Sequence, residues 1–292
     1  MSDFLQFSVT GITIGSIYAI VALGFVTIYS VTKVINMAQG EFVMLGGMIM
    51  FTFLGIGLNY WLSFLLTILA VMAIGWVMEK AIIQPTKGAD PISLIILTIG
   101  AAIFIRGVAS MIWGKGQVRV PAFTSNEPIS IGPATITPQS IWVVLIMLFI
   151  VLLLYILIDR TMIGKAFQAC SVNPMAARLM GISPARMSSF SFTLSAVLGA
   201  IAGLAIAPIM FPAYDTGLML GIKGFSAAIL GGLGSAPGAV LGGLIIGLLE
   251  SFGAGYISSG LKDAVAFTAI LVILLIRPSG ILGERNVGKG GL

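Results

Sequence analysis

The stretch QSIWVVLIMLFIVLLLYILI, residues 139–158, decides the fold class of this chain. It carries no charged residue, and about 20 predominantly apolar residues are what an α-helix needs to cross the hydrocarbon core of a bilayer. Because a segment in lipid must satisfy its own backbone polar groups, a single uncharged run forms a helix rather than an isolated strand. The stretch therefore predicts a transmembrane helix.

The rest of the chain repeats this pattern. Of its 292 residues, 58% are hydrophobic and only 9% are charged, whereas soluble domains average about 25% charged residues. Long uncharged runs separate the charges, for example between Glu41 and Glu79. We therefore predict an all-α fold, a polytopic transmembrane helical bundle of about eight spans in a single transmembrane domain, 1–292. The predicted spans are 5–30, 35–57, 61–83, 91–113, 139–158, 188–211, a broken or re-entrant helix pair near 217–251, and a last span near 263–277.

Lys and Arg residues predict the side of the membrane that each loop occupies. The loop 159–187 is basic, and the tail after residue 277 carries Arg285 and Lys289. Because cytoplasmic loops carry an excess of Lys and Arg, we expect both segments in the cytoplasm. Counting spans back from there places the N-terminus outside and makes 114–138 an external loop.

The glycine-rich string GGLGSAPG, residues 231–238, resolves a conflict in this count. One uninterrupted span across 217–251 would place the basic tail outside, whereas an even number of crossings or a re-entrant pair returns it to the cytoplasm. Irregular backbone at membrane depth is tolerated only where protein covers it or where it lines a water-filled cavity. We therefore expect the string to interrupt a helix inside the bundle, close to the transport pathway.

A short helix is predicted inside the cytoplasmic loop 159–187. Asn173 can cap its start, Pro174 suits its first position, and Gly181 suits the residue just past its end. An ordinary ordered loop is the simpler alternative, but a solvated connector has no reason to expose the apolar side chains that lie between these caps. We therefore expect a docking element. Its residues are Asn173, Pro174, Met175, Ala176, Arg178, Leu179 and Gly181.

The stretch INMAQGE, residues 35–41, opens an otherwise apolar span with polar side chains. An ionisable group in a membrane segment is a functional candidate by default, and we place Glu41 about one helical turn inside the cytoplasmic entrance. Two interpretations of Glu41 stay open. It serves transport directly, or it is structural and favours a positive helix N-terminus or pairs with Lys33.

Two further features of the sequence allow more than one interpretation. Arg106 and Glu250 are charges within apolar stretches; each extends its charged group to an interface, or the two form a buried pair. Residues 40–47 resemble residues 225–232. This similarity reflects an internal repeat, as in many transporters, or the chance recurrence of small residues.

Residue types that are absent or rare narrow the function. The chain has no histidine and one cysteine, which argues against a zinc or histidine-based site, and we expect neither a cofactor nor enzymatic activity. It has no Gly-x-x-x-x-Gly-Lys-[Ser/Thr] motif, so any ATP-driven work requires a partner protein. The net charge of +5 reflects basic loops that set orientation, so we expect a lipid bilayer rather than nucleic acid around the chain.

The main alternative is an ion-coupled secondary transporter. Such a protein usually binds its coupling ion with acidic or polar groups near the membrane midplane. The candidate carboxylates are Glu41, Asp215 and Glu250, and we place all three at the periphery, away from that midplane. A membrane enzyme is a weaker alternative, because no nucleophile–base or metal set is visible, and the predicted broken helix disfavours a purely structural scaffold.

Three stretches of the chain together resemble a known family. They are Gly15 to Gly24 running into residues 35–41, Gly164 to Ala166 followed by residues 173–182, and residues 223–243. On these stretches, and over nearly its whole length, the chain resembles the smaller of the two permeases of branched-chain amino acid ABC importers. Gln39 stands where many members of that family carry histidine.

The resemblance implies partners, a location and a substrate class. A second permease subunit would complete a heterodimeric pore, two cytoplasmic ABC ATPases would drive it, and a periplasmic substrate-binding protein would deliver substrate at the bacterial inner (plasma) membrane. Residues 173–181 would be the coupling helix in an ATPase groove. The substrates would be branched-chain amino acids or similar small polar solutes such as amides and urea. Together with the motifs above, the resemblance indicates a translocation path through Tyr18, Asn36, Gln39, Glu41, Phe225, Ser226, Ala227, Gly231 and Gly232.

Overall fold

The computed structural model describes residues 2–86, 88–124, 127–131 and 134–283 of the chain. Helices dominate this part, so the predicted fold class is confirmed. Arg285 and Lys289 of the predicted cytoplasmic tail lie outside the described residues. The helices are α1 (Ser2–Thr32), α2 (Gln39–Gly55), α3 (Tyr60–Met78), α4 (Pro91–Trp113), α5 (Pro138–Tyr155), α6 (Met162–Val172), α7 (Pro174–Leu179), α8 (Pro184–Met210), α9 (Thr216–Gly231), α10 (Ala236–Tyr256) and α11 (Lys262–Ile276).

Short elements complete the described chain. Two π-helical turns, Glu79–Ile83 and Ile156–Arg160, extend α3 and α5, and a 3-10 turn, Ser259–Leu261, precedes α11. Strands β1 (Ile129–Ile131) and β2 (Ala134–Ile136) form an antiparallel hairpin within the predicted external loop. Seven helical segments of the described residues are long and apolar enough to span a membrane, and α2 and α9 are shorter apolar helices. These numbers agree with the prediction of about eight spans.

The two ends of the bundle carry different structures. At one end, called the α7 end below, lie α6, α7 and the starts of α4, α8 and α10. At the other, called the β end, lie the β1–β2 hairpin, which contacts the start of α1, and the starts of α3 and α5. Large apolar side chains of α3, α4 and α5 remain exposed along the length between the two ends, as helices that face lipid require.

α1 is the central helix of the bundle. Its 31 residues correspond to about 46 Å, and most side chains from Gly15 onward are buried. It packs on α10 through small residues: a Cβ atom on Gly15 would lie 2.8 Å from the Leu244 Cα, so a side chain has no room there. Small residues let helix backbones approach closely in a membrane, where burial of apolar surface gives little drive for helix association.

α2 begins in the interior of the bundle rather than at its end. The chain turns back at Lys33, directly after α1, where the positive φ of 56° ends the helix. Residues 34–38 then return alongside α1 without helical structure, and Gln39 contacts Gly24. Because Gly24 lies two helical turns before the end of α1 at Thr32, α2 starts about 12 Å inside the α7 end.

α9 also begins in the interior, beside the start of α2. After α8 the chain turns back at Phe211, where φ is 48°, and Pro212 packs against Gly47. Gly217, in the first turn of α9, then meets the backbone of Gly40. From this meeting point α2 runs beside α8 to the β end, and α9 runs beside α1 to the α7 end.

Two expectations about these segments are wrong. The predicted span 35–57 is not helical from its start, because residues 34–38 are irregular and α2 begins only at Gln39. The string 231–238 does not interrupt a helix at membrane depth. It forms the turn between α9 and α10 at the α7 end, where the carbonyl oxygens of Leu230 and Gly231 accept hydrogen bonds from the segment that follows α11. The interruptions inside the bundle are instead 33–38 and 211–215.

The helix pair expected near 217–251 is present as the α9–α10 hairpin. The similar strings 40–47 and 225–232, in contrast, occupy different positions. The first forms the start of α2, whereas the second forms the end of α9 and enters the turn. The similarity therefore does not mark structurally equivalent positions of a repeat.

Candidate transport site and docking surface

The irregular segment 33–38 keeps its backbone hydrogen-bonded inside the bundle. The Asn36 side-chain oxygen accepts from the N–H of Ala38 at 3.1 Å, and Thr98 Oγ1 of α4 accepts from the N–H of Met37 at 3.1 Å. Such partners allow irregular backbone at membrane depth. Asn36 is fully buried, and its Nδ2 has no hydrogen-bond partner among the described residues.

Gln39, the first residue of α2, connects three helices. Its Nε2 donates to the carbonyl oxygen of Ser195 in α8 at 3.1 Å. The Ser195 Oγ lies 2.5 Å from Gln39 Oε1 and 2.8 Å from the carbonyl oxygen of Gly24 in α1. Gln39 and Ser195 are both fully buried. Because an amide side chain both donates and accepts, Gln39 fixes the start of α2 against α1 and α8.

Glu41 pairs with Arg106 of α4 and not with Lys33. Arg106 Nη2 lies 2.5 Å from Glu41 Oε1. The other oxygen, Oε2, has no hydrogen-bond partner in the described part of the chain and points at the first turn of α9, where Gly217 has no Cβ to exclude it. Negative charge at a helix N-terminus is favourable. The alternative of a buried Arg106–Glu250 pair is therefore wrong, whereas the position of Glu41 near the cytoplasmic entrance stays a prediction.

Glu250 of α10 is the centre of a second buried cluster of charges. Its Oε1 accepts from Lys223 Nζ of α9 at 2.7 Å, and its Oε2 accepts from the hydroxyl of Tyr18 in α1 at 2.7 Å. Lys223 Nζ also lies 2.8 Å from Asp263 Oδ1, and Lys262 Nζ lies 3.5 Å from Glu250 Oε1. The cluster joins α1, α9, α10 and α11 towards the β end.

The predicted path residues on α9 and in its following turn fall in different environments. Phe225 packs on an aromatic ring of α1 with 5.5 Å between centroids, and Ala227 is buried against α10. Ser226 is half-buried, and Gly231 and Gly232 lie in the α9–α10 turn. The nine predicted path residues therefore fall into separate groups. Asn36, Gln39 and Glu41 cluster near the start of α2, whereas Tyr18 belongs to the Glu250 cluster.

α7 is held at both ends and exposes its apolar side chains. The Asn173 Oδ1 accepts from the N–H groups of Met175 and Ala176, both at 3.0 Å, and Gly181 follows the helix with a φ of 81°. The predicted caps are therefore confirmed. Met175 is 68% and Leu179 is 83% exposed, so the helix presents an apolar surface outward from the α7 end.

The inner side of α7 rests on a packed cluster. Ala177 is buried together with Val31 of α1 and with Phe167 and Cys170 of α6. Burial raises the pKa of the Cys170 thiol above its ordinary value, which leaves little of the reactive thiolate at neutral pH. α7 is thus attached to the bundle through α1 and α6.

Sequence reasoning missed several groups that the structure places beside these sites. Thr98 and Ser195 gave no signal, because hydroxyls in helices often bond only to their own helix backbone. Glu79 is fully buried at the α7 end, where the hydroxyls of Ser188 and Ser189 donate to its carboxylate at 3.0 and 2.6 Å. Glu79 could have been singled out from the sequence, because it is a carboxylate within the predicted span 61–83.

The geometry defines a class of protein. Long membrane-spanning helices, two shorter helices that begin back to back in the bundle interior, and buried polar groups at those starts are typical of membrane transport proteins. In the ranges that the structure describes, no group of three or more His, Cys, Asp or Glu residues is placed to hold a metal ion. The chain is a multi-pass membrane transport protein.

Comparison with known proteins gives the family. Residues 7–276 match the family model described as the branched-chain amino acid transport system permease component. The chain is 33% identical to the high-affinity branched-chain amino acid transport system permease protein LivH of Salmonella typhimurium, over 98% of this chain and 97% of that protein. It is 31% identical to the permease protein BraD of Pseudomonas aeruginosa, over 98% of each. The chain therefore belongs to the branched-chain amino acid transport permease family.

A solved structure shows a related fold. PsaBC from Streptococcus pneumoniae, in complex with Fab, matches with a TM-score of 0.53 and 14% identity, over 94% of this chain and 92% of that one; this likeness concerns the fold alone. Family membership makes the chain a permease subunit of an ABC-type importer rather than an enzyme, and it implies ATPase and substrate-binding partners.

Proposed function

We propose that this chain forms one half of the membrane pore of an ATP-driven importer in the bacterial inner membrane. The imported solutes are branched-chain amino acids or similar small polar solutes such as amides and urea. A second, different permease subunit forms the other half, two cytoplasmic ABC ATPases drive transport, and a periplasmic binding protein delivers the solute. The observation that carries this proposal is α7, a capped helix that presents apolar side chains outward at one end of the bundle.

α7 is suited to receive movement from an ATPase. Burial of Met175 and Leu179 in a partner groove would contribute about 2 kcal/mol each, and the caps at Asn173 and Gly181 keep the helix in one shape. Its inner side is packed on α6 and α1, and packed interiors transmit displacement because they compress little. Movement of α7 would reach α8, which follows it in the chain and whose Ser195 is bonded to the start of α2.

One face of α9 supports the assignment of a second permease. Leu218 and Met219 are 44% and 45% exposed, and Ile222 and Ser226 on the same side are only partly covered by the described chain. The opposite side of α9 packs on α1, α2 and α10. We assign the uncovered face to the junction with the second permease, and Ser226 to the translocation path between the two subunits.

The substrate class rests on the named relatives. LivH and BraD are both described as high-affinity branched-chain amino acid permeases, and identities above 30% over nearly the full length make a shared substrate class the favoured assignment.

Charge pairing argues against an ion-coupled transporter. Glu41 and Glu250 are both buried in the bundle. Each is already paired with a basic side chain, Arg106 or Lys223. A coupling cation would have to compete with that pairing, so the buried carboxylates do not form ready cation sites.

Reconstitution tests the proposed function. The chain is assembled with its second permease, ATPases and binding protein in liposomes, and uptake of radiolabelled leucine is measured with and without ATP. We expect uptake that requires ATP and proceeds without an ion gradient. Uptake by the chain alone, driven by a sodium or proton gradient, would contradict the proposal.

A further inference from the structure

An open, surface-accessible cavity of about 290 Å³ lies between α1 and α10 near the β end. This volume is roughly ten times the share of one water molecule in the liquid, so the cavity has room for a small organic solute. Phe7, Ile14 and Ala254 form apolar parts of its wall, and Glu250 and Lys262 also line it. The cavity therefore combines one acidic group, one basic group and an apolar surface.

The two charged groups differ in how firmly they are held. Glu250 is 4% exposed and fixed by Lys223 and Tyr18, but each carboxylate oxygen can accept more than one hydrogen bond, so Oε2 keeps accepting capacity beside the Tyr18 hydroxyl. Lys262 is held loosely: its side chain is 45% exposed and lies 3.5 Å from Glu250 Oε1. An incoming anionic group can therefore take over the Lys262 ammonium without disturbing the buried pair.

The charge balance of the cluster selects the kind of solute. Lys223 and Lys262 face Glu250 and Asp263, so the basic and acidic groups already neutralise one another. A solute with a net charge would leave an unbalanced charge beside the buried carboxylate of Glu250, which is costly. A zwitterion brings one charge of each sign and preserves the balance.

The apolar wall selects the rest of the solute. The ring of Phe7 is held by Tyr256, with 5.3 Å between centroids in an edge-on arrangement, and it forms one side of the cavity. Ile14 and Ala254 continue this surface. An aliphatic side chain buried here gains about 25 cal/mol per Å² of apolar surface removed from water, and an aromatic ring also attracts an ammonium group.

We propose that this cavity binds a zwitterionic α-amino acid with an aliphatic side chain. The ammonium group of the solute donates to Glu250, its carboxylate accepts from Lys262, and its side chain packs on Phe7, Ile14 and Ala254. The site rests on the proposed import of amino acids and adds to it a place in this subunit where the solute is recognised.

Equilibrium binding of radiolabelled leucine to the purified full chain in lipid nanodiscs tests the site. We expect saturable binding that unlabelled leucine displaces, but that leucinamide, which lacks the carboxylate, and isocaproate, which lacks the ammonium group, displace at least tenfold less well. Lys262→Met should weaken binding about tenfold, because a charge-assisted hydrogen bond is lost. Lys115→Met, at an exposed lysine of the β end, is the matched control and should bind as the parent chain does.

Variants that fill the cavity provide a second, independent test of the site. Ala254→Phe and Thr10→Trp fill it from α10 and from the exposed side of α1, and both should abolish leucine binding while unfolding temperature and gel-filtration profile stay those of the parent chain. If one of the two variants fails to fold, leucine binding to the other variant still tests the site.

The outcomes separate the site from the importer. ATP-dependent uptake by the assembled importer without saturable leucine binding to this chain would overturn the site and leave the proposed function standing. The site would also be overturned if Lys262→Met and the folded cavity-filling variants bound leucine as the parent chain does. Full displacement of leucine by leucinamide would overturn it too. Binding with the expected selectivity but no ATP-dependent uptake would support the site and contradict the proposed function.

Discussion

Gly40 in the first turn of α2 and Gly221 in the second turn of α9 bring the two helices into backbone contact. A Cβ atom on Gly40 would lie 2.7 Å from the Gly221 Cα, closer than real Cβ atoms approach. The contact lies where the interruptions 33–38 and 211–215 meet inside the bundle. The central geometry therefore depends on the absence of side chains at this pair.

Replacement of Gly40 should destabilise the protein. Gly40→Ala forces the start of α9 away from α2, and overpacking of this kind costs about 1–3 kcal/mol, so the thermal unfolding temperature of the purified chain should fall. Gly100→Ala is the matched control, because nothing lies within 4 Å of a Cβ at that α4 position; it should be neutral or stabilising by up to about 1 kcal/mol. Equal unfolding temperatures for the two variants would contradict the close contact.

The Arg106–Glu41 pair should behave as a coupled unit. Arg106→Ala leaves the buried Glu41 carboxylate without its cation and should cost roughly 2–3 kcal/mol, at the lower side for a buried pair because Arg106 remains 22% exposed. Glu41→Gln combined with Arg106→Ala should cost less than the sum of the single variants. Chemical denaturation of all four proteins measures the coupling. Strict additivity would show that the two side chains do not interact.

A bulky side chain at Ser226 should block transport. Ser226 lies on the uncovered face of α9, so Ser226→Trp is expected to obstruct the path without disturbing the bundle, and to abolish ATP-dependent uptake. Ala227 does not serve this test, since it is fully buried against α10 and a large side chain there would disrupt packing. Leu148→Trp, on an exposed face of α5, is the control. Normal uptake by a folded Ser226→Trp importer would remove this face from the path.

The single native cysteine allows a direct test of the α7 surface. Cys170 is buried and its thiol pKa is raised, so maleimide should label the parent chain slowly at pH 7 and faster as pH rises towards that raised pKa. Leu179→Cys should label quickly in the isolated chain and slowly after the ATPases bind. A labelling rate at position 179 that the ATPases leave unchanged would argue against docking there.

Much of the fold is predictable from local sequence. Uncharged runs such as 139–158 locate helices, because no other local structure suits lipid. The caps of α7 are predictable as well, since Asn173 and Gly181 act on neighbouring backbone. Gly243 and Gly247 allow close packing with α1, and this too is predictable, because glycine leaves room for a neighbouring backbone wherever it occurs in a helix.

The centre of the bundle is not predictable in this way. The interruption at 33–38 has neither glycine nor proline, and its backbone is satisfied by Thr98, a residue distant in sequence. Nor does a single sequence show that Glu41 meets Arg106 or that Glu250 meets Lys223, because charge pairing depends on how helices pack. The conspicuous glycine string 231–238 indicated a break and proved to be a hairpin turn, since both need the same flexible residues.

We propose that ATPase partners drive this pore half through α7. Leu179→Asp places a charge on the apolar surface of that helix without touching the bundle interior, and Ile129→Asp, at an exposed apolar position of the β end, is its control. The decisive measurement is leucine uptake and ATP hydrolysis recorded together in proteoliposomes of the assembled importer. We expect that Leu179→Asp loses uptake while the ATPases still hydrolyse ATP and the chain stays folded, and that Ile129→Asp retains both uptake and hydrolysis. Full ATP-dependent uptake by Leu179→Asp would contradict this proposal.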